Sequence, residues 1–242
     1  VSRFTRLEGQ LRLEHSDRTD FSFIDDLNLG LSRRRALLAG NYLSWVRDNS
    51  LWLATGPIDG GRVNLTAGMV TDVNNGRLDS YLLSADIRRY LRTGLRTALA
   101  VRAYSYFAGG ARPQRIAIGG SYALRGYPRF AYVSGTRALL ANVEWRFPIT
   151  DYLSIGFPFG EWRFPGVEGA LFADAGKAWT ANSIPRSLVG AYGLGLRMSL
   201  GPPLVLRPDL GWRYDGGTGN SYGLPERYRG RRFADFWFGF DY

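Results

Sequence analysis

An all-β fold, an antiparallel transmembrane β-barrel, is the class that three features of this sequence predict together. Apolar residues recur with period two in run after run, so each run carries one apolar and one polar face. The apolar faces end in aromatic residues such as Trp145, Trp212, Tyr214 and Tyr242. No run approaches the roughly eighteen apolar residues of a spanning helix, whereas the runs match the roughly ten residues of a spanning strand. A soluble sandwich also alternates, but its outward faces carry Lys and Glu into water. An apolar outer band, aromatic girdles and a polar lumen fit this pattern better.

The runs follow in order. Leu7, Leu11 and Leu13 oppose Arg6, Glu8, Gln10, Arg12 and Glu14. Residues 21–32 repeat the pattern, with Phe21, Phe23, Leu27, Leu29 and Leu31 against Ser22, Asp26, Asn28 and Ser32. Residues 36–48 are ambiguous in facing, because Leu43 and Trp45 compete with Tyr42 and Val46. A Gly/Pro turn is expected at 56–61, then a strand with Val63, Leu65, Ala67 and Met69 outward, then a hairpin loop at 72–76. Tyr81, Leu83, Ala85, Ile87 and Leu91 form the next apolar face, and a tight turn at 92–94 returns the chain through Leu99, Val101, Ala103 and Phe107.

Beyond residue 136 the alternation sharpens. Leu139, Ala141, Val143, Trp145 and Phe147 oppose Asn142, Glu144 and Arg146; Leu171, Ala173 and Ala175 oppose Phe172, Asp174 and Gly176. Leu194 and Leu196 face away from Gly193, Gly195 and Arg197, and Leu210, Trp212 and Tyr214 from Arg207, Asp209 and Arg213. Pro208 sits awkwardly there, since it donates no ladder bond. The last run puts Phe236, Phe238, Phe240 and Tyr242 on one face. These make about eleven strands. With Tyr242 on the periplasmic side, an odd count would start Val1 on the outer surface. Because single-chain barrels have even counts, further strands and a periplasmic domain are expected upstream, with residues 1–242 all barrel.

The segment from about 108 to 136 has neither periodicity, and so long a stretch is a functional loop or disordered. Gly119, Gly120 and Gly126 allow positive φ or close approach, and Pro128 stiffens the exit. Arg125 stands between them. If the loop enters the lumen, a guanidinium persists there only where carboxylates meet it.

Charge narrows the partners without choosing one. The net charge is +10, from 31 basic and 21 acidic residues, and Lys177 is the only lysine. Lipid headgroups, lipopolysaccharide and nucleic acid all suit such a balance. Yet most arginines alternate along strands, and the clusters at 33–35 and 229–232 fall in expected outer loops, which favours lipopolysaccharide or solvation over nucleic acid. No cysteine is present, so neither disulfide nor thiolate site is available. No metal constellation or cofactor motif is found, and Gly119–Ala123 only nearly spells a serine-hydrolase elbow, with His15 the sole histidine. An enzyme is not expected.

Four marks resemble a known family. Gly119 and Gly120 precede Leu124-Arg125-Gly126-Tyr127; Val143 to Pro148 reads Val-Glu-Trp-Arg-Phe-Pro; Phe172 to Gly176 reads Phe-Ala-Asp-Ala-Gly; and aromatics alternate at the end. In this order they resemble the C-terminal part of the BamA and TamA type of outer-membrane assembly barrel, a superfamily that includes two-partner secretion transporters. The likeness runs over most of residues 40–242. Leu124 replaces the usual Val, and the strands number about eleven where the family has about sixteen, as a fragment would. The resemblance implies a bacterial outer-membrane location, insertion or translocation of other proteins, β-barrel clients and accessory periplasmic partners. It also implies that Phe236, Phe238, Phe240 and Tyr242 form the signal recognised for assembly. A barrel that anchors a periplasmic domain or acts as a passive pore is the alternative.

The residues agree on a site. Glu144 and Asp174 fall on lumen faces of neighbouring strands, and one planar guanidinium bonds two carboxylates at once. Phe172 and Tyr127 are expected beside the pair, and Gly176 leaves room for the loop. A latch that only pins the loop and one that switches look the same in sequence.

Overall fold

The computed structural model describes residues 3–18, 34–129, 132–183, 187–201, 204–217, 222–229 and 231–240. The chain opens with β1 (Thr5–Arg18), β2 (Arg34–Asp48), β3 (Leu51–Leu53), β4 (Gly56–Asp72), β5 (Arg77–Arg92) and β6 (Ala98–Gly110). Two-residue strands β7 (Ile116–Ala117) and β8 (Ser134–Gly135) bracket the loop. Then come β9 (Arg137–Pro148), β10 (Tyr152–Phe157), β11 (Gly160–Pro165), β12 (Val167–Trp179), β13 (Val189–Gly201) and β14 (Leu204–Asp215), a one-turn helix α1 (Glu226–Arg229) and β15 (Arg232–Phe240).

Ten strands lie in one antiparallel sheet in the order β1-β2-β4-β5-β6-β9-β12-β13-β14-β15, with β3 as an eleventh pairing β4. Consecutive neighbours are joined by reversals, which is the up-and-down order that period two with short turns dictates. The strand expected at 21–32 lies outside the described residues, and β1 pairs directly with β2, from Thr5↔Arg47 to Arg18↔Arg34. Among the described residues the path from β1 to β15 has ten strands, with β3 beside it, and β1 begins at the end of the sheet where β15 finishes.

One further departure is local. Residues 56–61 form no turn: β4 starts at Gly56 and its first residues pair with β3, while Gly60, at φ +84°, lets the strand pass against the Asn49 carbonyl. The connection at 148–166 is a hairpin, β10 against β11, with Pro148 closing β9, Pro158 in the hairpin turn and Pro165 closing β11. Pro208 is accommodated within β14, where pairing with β13 skips from Gly195↔Asp209 to Met198↔Leu206.

Strand parity sorts the side chains as alternation predicts. One face shows Leu43, Leu65, Leu83, Leu171, Leu194, Leu210 and Phe238, all exposed. Facing is thereby settled in β2, where Leu43 is exposed and Val46 buried. The other, inner face is covered by the loop between β6 and β9. The buried cluster joins loop residues Ile118, Leu124, Tyr127 and Val133 to Tyr106, Leu140, Ala178 and Val189 of the strands and to Tyr222 and Leu224 of the last connection. Exposed apolar side and buried charged side make an architecture inverted with respect to a water-soluble sheet.

Candidate functional site: an arginine latch under the loop

The loop is ordered by its own backbone before it meets the strands. Leu124 N donates to Ile118 O (2.9 Å) and Gly120 N to Leu124 O (3.1 Å), closing a turn around residues 119–124. Gly119 lies so close to the Pro128 carbonyl that a Cβ has no room, and Gly126, at φ +75°, places its Cα 's hydrogen where a Cβ would meet the Phe233 ring at 2.7 Å. The loop comes down on Gly176, where a Cβ would stand 2.9 Å from Ile118.

Arg125 is thereby delivered to the inner face. Its Nε donates to Asp174 Oδ2 (2.6 Å), Nη2 to Asp174 Oδ1 (2.7 Å) and Nη1 to Glu144 Oε2 (2.7 Å). Its guanidinium carbon lies 3.7 Å from the centre of the Phe172 ring, a cation–π contact. Arg125, Glu144, Asp174 and Phe172 are all buried. Burial works against the charge of Arg125, but Asp174 and Glu144 more than reverse it and raise its pKa, so it stays a guanidinium at any working pH.

Around this fork lies a network that the sequence reading did not pick out. Glu144 also accepts from Arg146 (2.7 Å) and Arg197 (3.0 Å from Nε), with Arg207 at 3.6 Å. Arg207 binds Asp209 at 2.8 Å, and Asn142 Nδ2 bridges Asp174 Oδ1 (2.7 Å) and the Ala123 carbonyl (2.6 Å). Four guanidiniums thus meet three carboxylates. Asp174 has Arg125 as its only cation among the described residues. Gly195 is the space into which Asp209 fits.

The loop is also tied on both flanks. Arg102 of β6, forked onto Asp86 (2.9 and 2.8 Å), donates to the Tyr122 carbonyl at 2.6 Å. On the far flank Gly126 N donates to Asp235 of β15 (2.7 Å), and Arg213 of β14 donates to the Gly126 carbonyl. Tyr122 meets Trp237 edge-on at 4.5 Å. Tyr127 does not join the ion pair. It packs in the adjoining apolar cluster, with its hydroxyl in donating range of the carbonyls of Tyr214 (2.8 Å) and Gly190 (3.3 Å), and burial raises its pKa.

β15 therefore presents two distinct faces. Phe236 and Phe238, singled out by alternation, are exposed on the outer face. The side chain of Phe240 and the whole of Tyr242 lie outside the described residues. The opposite parity, Phe233, Asp235 and Trp237, carries the loop contacts. That signal was available at the same spacing of two, on the other face.

An exposed apolar face, an inner face of paired charges and a loop folded onto it define a membrane-barrel class of fold. No family model matches the chain, and no curated protein matches it. Among solved structures it is similar to that of BamA from Haemophilus ducreyi lacking POTRA domains 1-3, with 13% identity and a TM-score of 0.63 over 98% of this chain. The chain spans about half of that one, 51%. In fold, then, the chain is similar to the barrel of that BamA.

Proposed function

We propose that the chain is the barrel of a bacterial outer-membrane protein that inserts or translocates other proteins. One observation carries this reading: the loop that bears the latch is held by the inner face of the terminal strand, through Gly126–Asp235 and Tyr122–Trp237. A terminal strand is a template for pairing with an incoming strand. When its inner face shares bonds with a buried latch, the state of that edge and the position of the loop bias each other. Its partners are then membrane lipid and lipopolysaccharide, unfolded β-barrel clients and periplasmic accessory proteins, and not nucleic acid, since the inner arginines are engaged with carboxylates. Nothing in this reading is enzymatic. Ser121 lies in the loop, whereas His15 belongs to β1 at the sheet edge.

A second reading, a barrel that anchors another domain or passes solutes, draws on the same loop, because a loop tied to both flanks also serves as a plug. The two part in one experiment. The full-length protein, in vesicles, is given a chaperone-held unfolded barrel client, and folded client is scored by its altered migration before boiling. Assembly requires client folding well above that of empty vesicles, and Arg125→Lys, folded itself, loses most of the gain. Client folding no faster than in empty vesicles removes the assembly reading and leaves the anchor or pore.

A further inference from the structure

The outer face of β5, β6, β9 and β12 is apolar until its rim on the side of the long loop. There Arg137 opens β9 between its register partners Phe107 of β6 and Trp179 of β12. Lys177 lies diagonally beside it, opposite Leu139. Both cations are on the outward parity. They share it with exposed Leu139 and Leu171, while their neighbours Ala138 and Ala178 are fully buried on the inner one.

A charge on a surface facing lipid needs a counter-charge or a headgroup. Among the described residues of these strands every carboxylate is engaged elsewhere: Asp79 with Arg112, Asp86 with Arg88 and Arg102, Glu144 and Asp174 with Arg125, Glu168 with Arg96. Arg137 instead lies 5.0 Å from the Phe107 ring and Lys177 5.0 Å from the Trp179 ring, and Arg137 Nε is buried with no hydrogen-bond partner. Two aromatic rings at this level are what an interface girdle supplies.

Below the two cations the outer surface recedes. Ala103, Ala141 and Ala175 stand in direct register across three strands, flanked by larger side chains such as Leu139 and Ile87. Arg137 borders an apolar groove of about 680 Å3 that runs past Leu83 and Leu65, and Lys177 borders another of about 300 Å3 towards Ile87 and Leu188. Each cation thus heads a groove wide enough for hydrocarbon.

The geometry points to a binding site for a phosphorylated lipid of the outer leaflet, its phosphate held by Arg137 and Lys177 and its acyl chains lying in the two grooves. Phosphate is the anion that membrane lipids carry at headgroup level, and guanidinium and ammonium together suit it. This inference rests on the membrane reading above and is separable from it. The full-length wild type, the double variant Arg137→Gln/Lys177→Gln and, as control, Arg89→Gln at the opposite rim are reconstituted in phosphatidylcholine vesicles. The vesicles carry a few per cent of lipid A or of its dephosphorylated form. Heat-modifiable migration reports insertion, and native mass spectrometry after mild extraction counts retained lipid A.

The expected result is retention of lipid A by wild type and Arg89→Gln, reduced roughly tenfold or more in the double variant and, for wild type, on dephosphorylation. Insertion with equal retention across proteins, or indifference of the wild type to the phosphates, overturns the lipid site alone. A wild type that inserts into neither kind of vesicle overturns the membrane reading and this site with it.

Discussion

β1 and β12 are written in the same alternating code and end in different physical states. In β1, Arg12 pairs with Glu14 at 3.0 Å and both remain solvated, while Leu7, Leu11 and Leu13 are exposed on the other face. In β12, Phe172 and Asp174 alternate with exposed Leu171 in the same way, yet Asp174 has no exposed side-chain surface at all. The difference is the loop, which covers the inner face of β6, β9 and β12 to β15 and leaves that of β1 open. An exposed pair contributes about 0–1 kcal/mol, whereas breaking a covered one costs about 3–5 kcal/mol. Burial by a distant segment, and not residue type, decides what a charge is worth.

The largest effect should come from Arg125→Ala, which strips Asp174 of its only cation among the described residues and leaves a buried carboxylate. A loss of about 3–5 kcal/mol is expected in urea unfolding from vesicles. Arg125→Lys should recover little of it, because an ammonium cannot fork between two carboxylates. Combined with Asp174→Asn the losses should fall short of the sum, since the neutral amide no longer needs the cation; simple additivity would show that the two residues act independently.

Next in size is Gly126→Ala. A left-handed residue with a Cβ costs about 1–3 kcal/mol, and here the methyl group also meets the Phe233 ring. Loop protease sensitivity should rise, and a second change, Phe233→Leu, should give part of the loss back. If Gly126→Ala alone leaves the loop as resistant as wild type, the loop is not seated against β15.

Smaller again is Asp235→Asn, which keeps the shape but weakens a charge-assisted bond to Gly126 N of about 1.5–3 kcal/mol to an ordinary one of about 1 kcal/mol. Hydrogen exchange at the Gly126 amide should speed up, while Phe236→Ser on the outward face of the same strand should leave that amide unchanged. Equal responses would dissolve the distinction between the two faces of β15.

The smallest effect belongs to β1. Arg12→Ala should change stability by no more than about 1 kcal/mol, and added salt should erase even that. A loss there comparable to Arg125→Ala would mean that β1 is covered in the membrane by something the isolated sheet does not show.

The sequence by itself determined the class of fold, the outward apolar set, most strand positions and the convergence of Arg125 with Glu144 and Asp174. All of these follow from period two and from what a buried guanidinium requires. Position within β2 and the replacement of the turn at 56–61 by a strand depended on which neighbour each segment found. The remainder of the site, Arg197, Arg207 and Asp209 beneath the latch and Asp235 and Trp237 beside it, was decided only in three dimensions. Alternation is a local property, repeated every second residue, and it says which face a side chain takes. It does not say what comes to lie over that face: Gly126 and Asp235 are 109 residues apart, and only the path of the loop across the sheet brings them together.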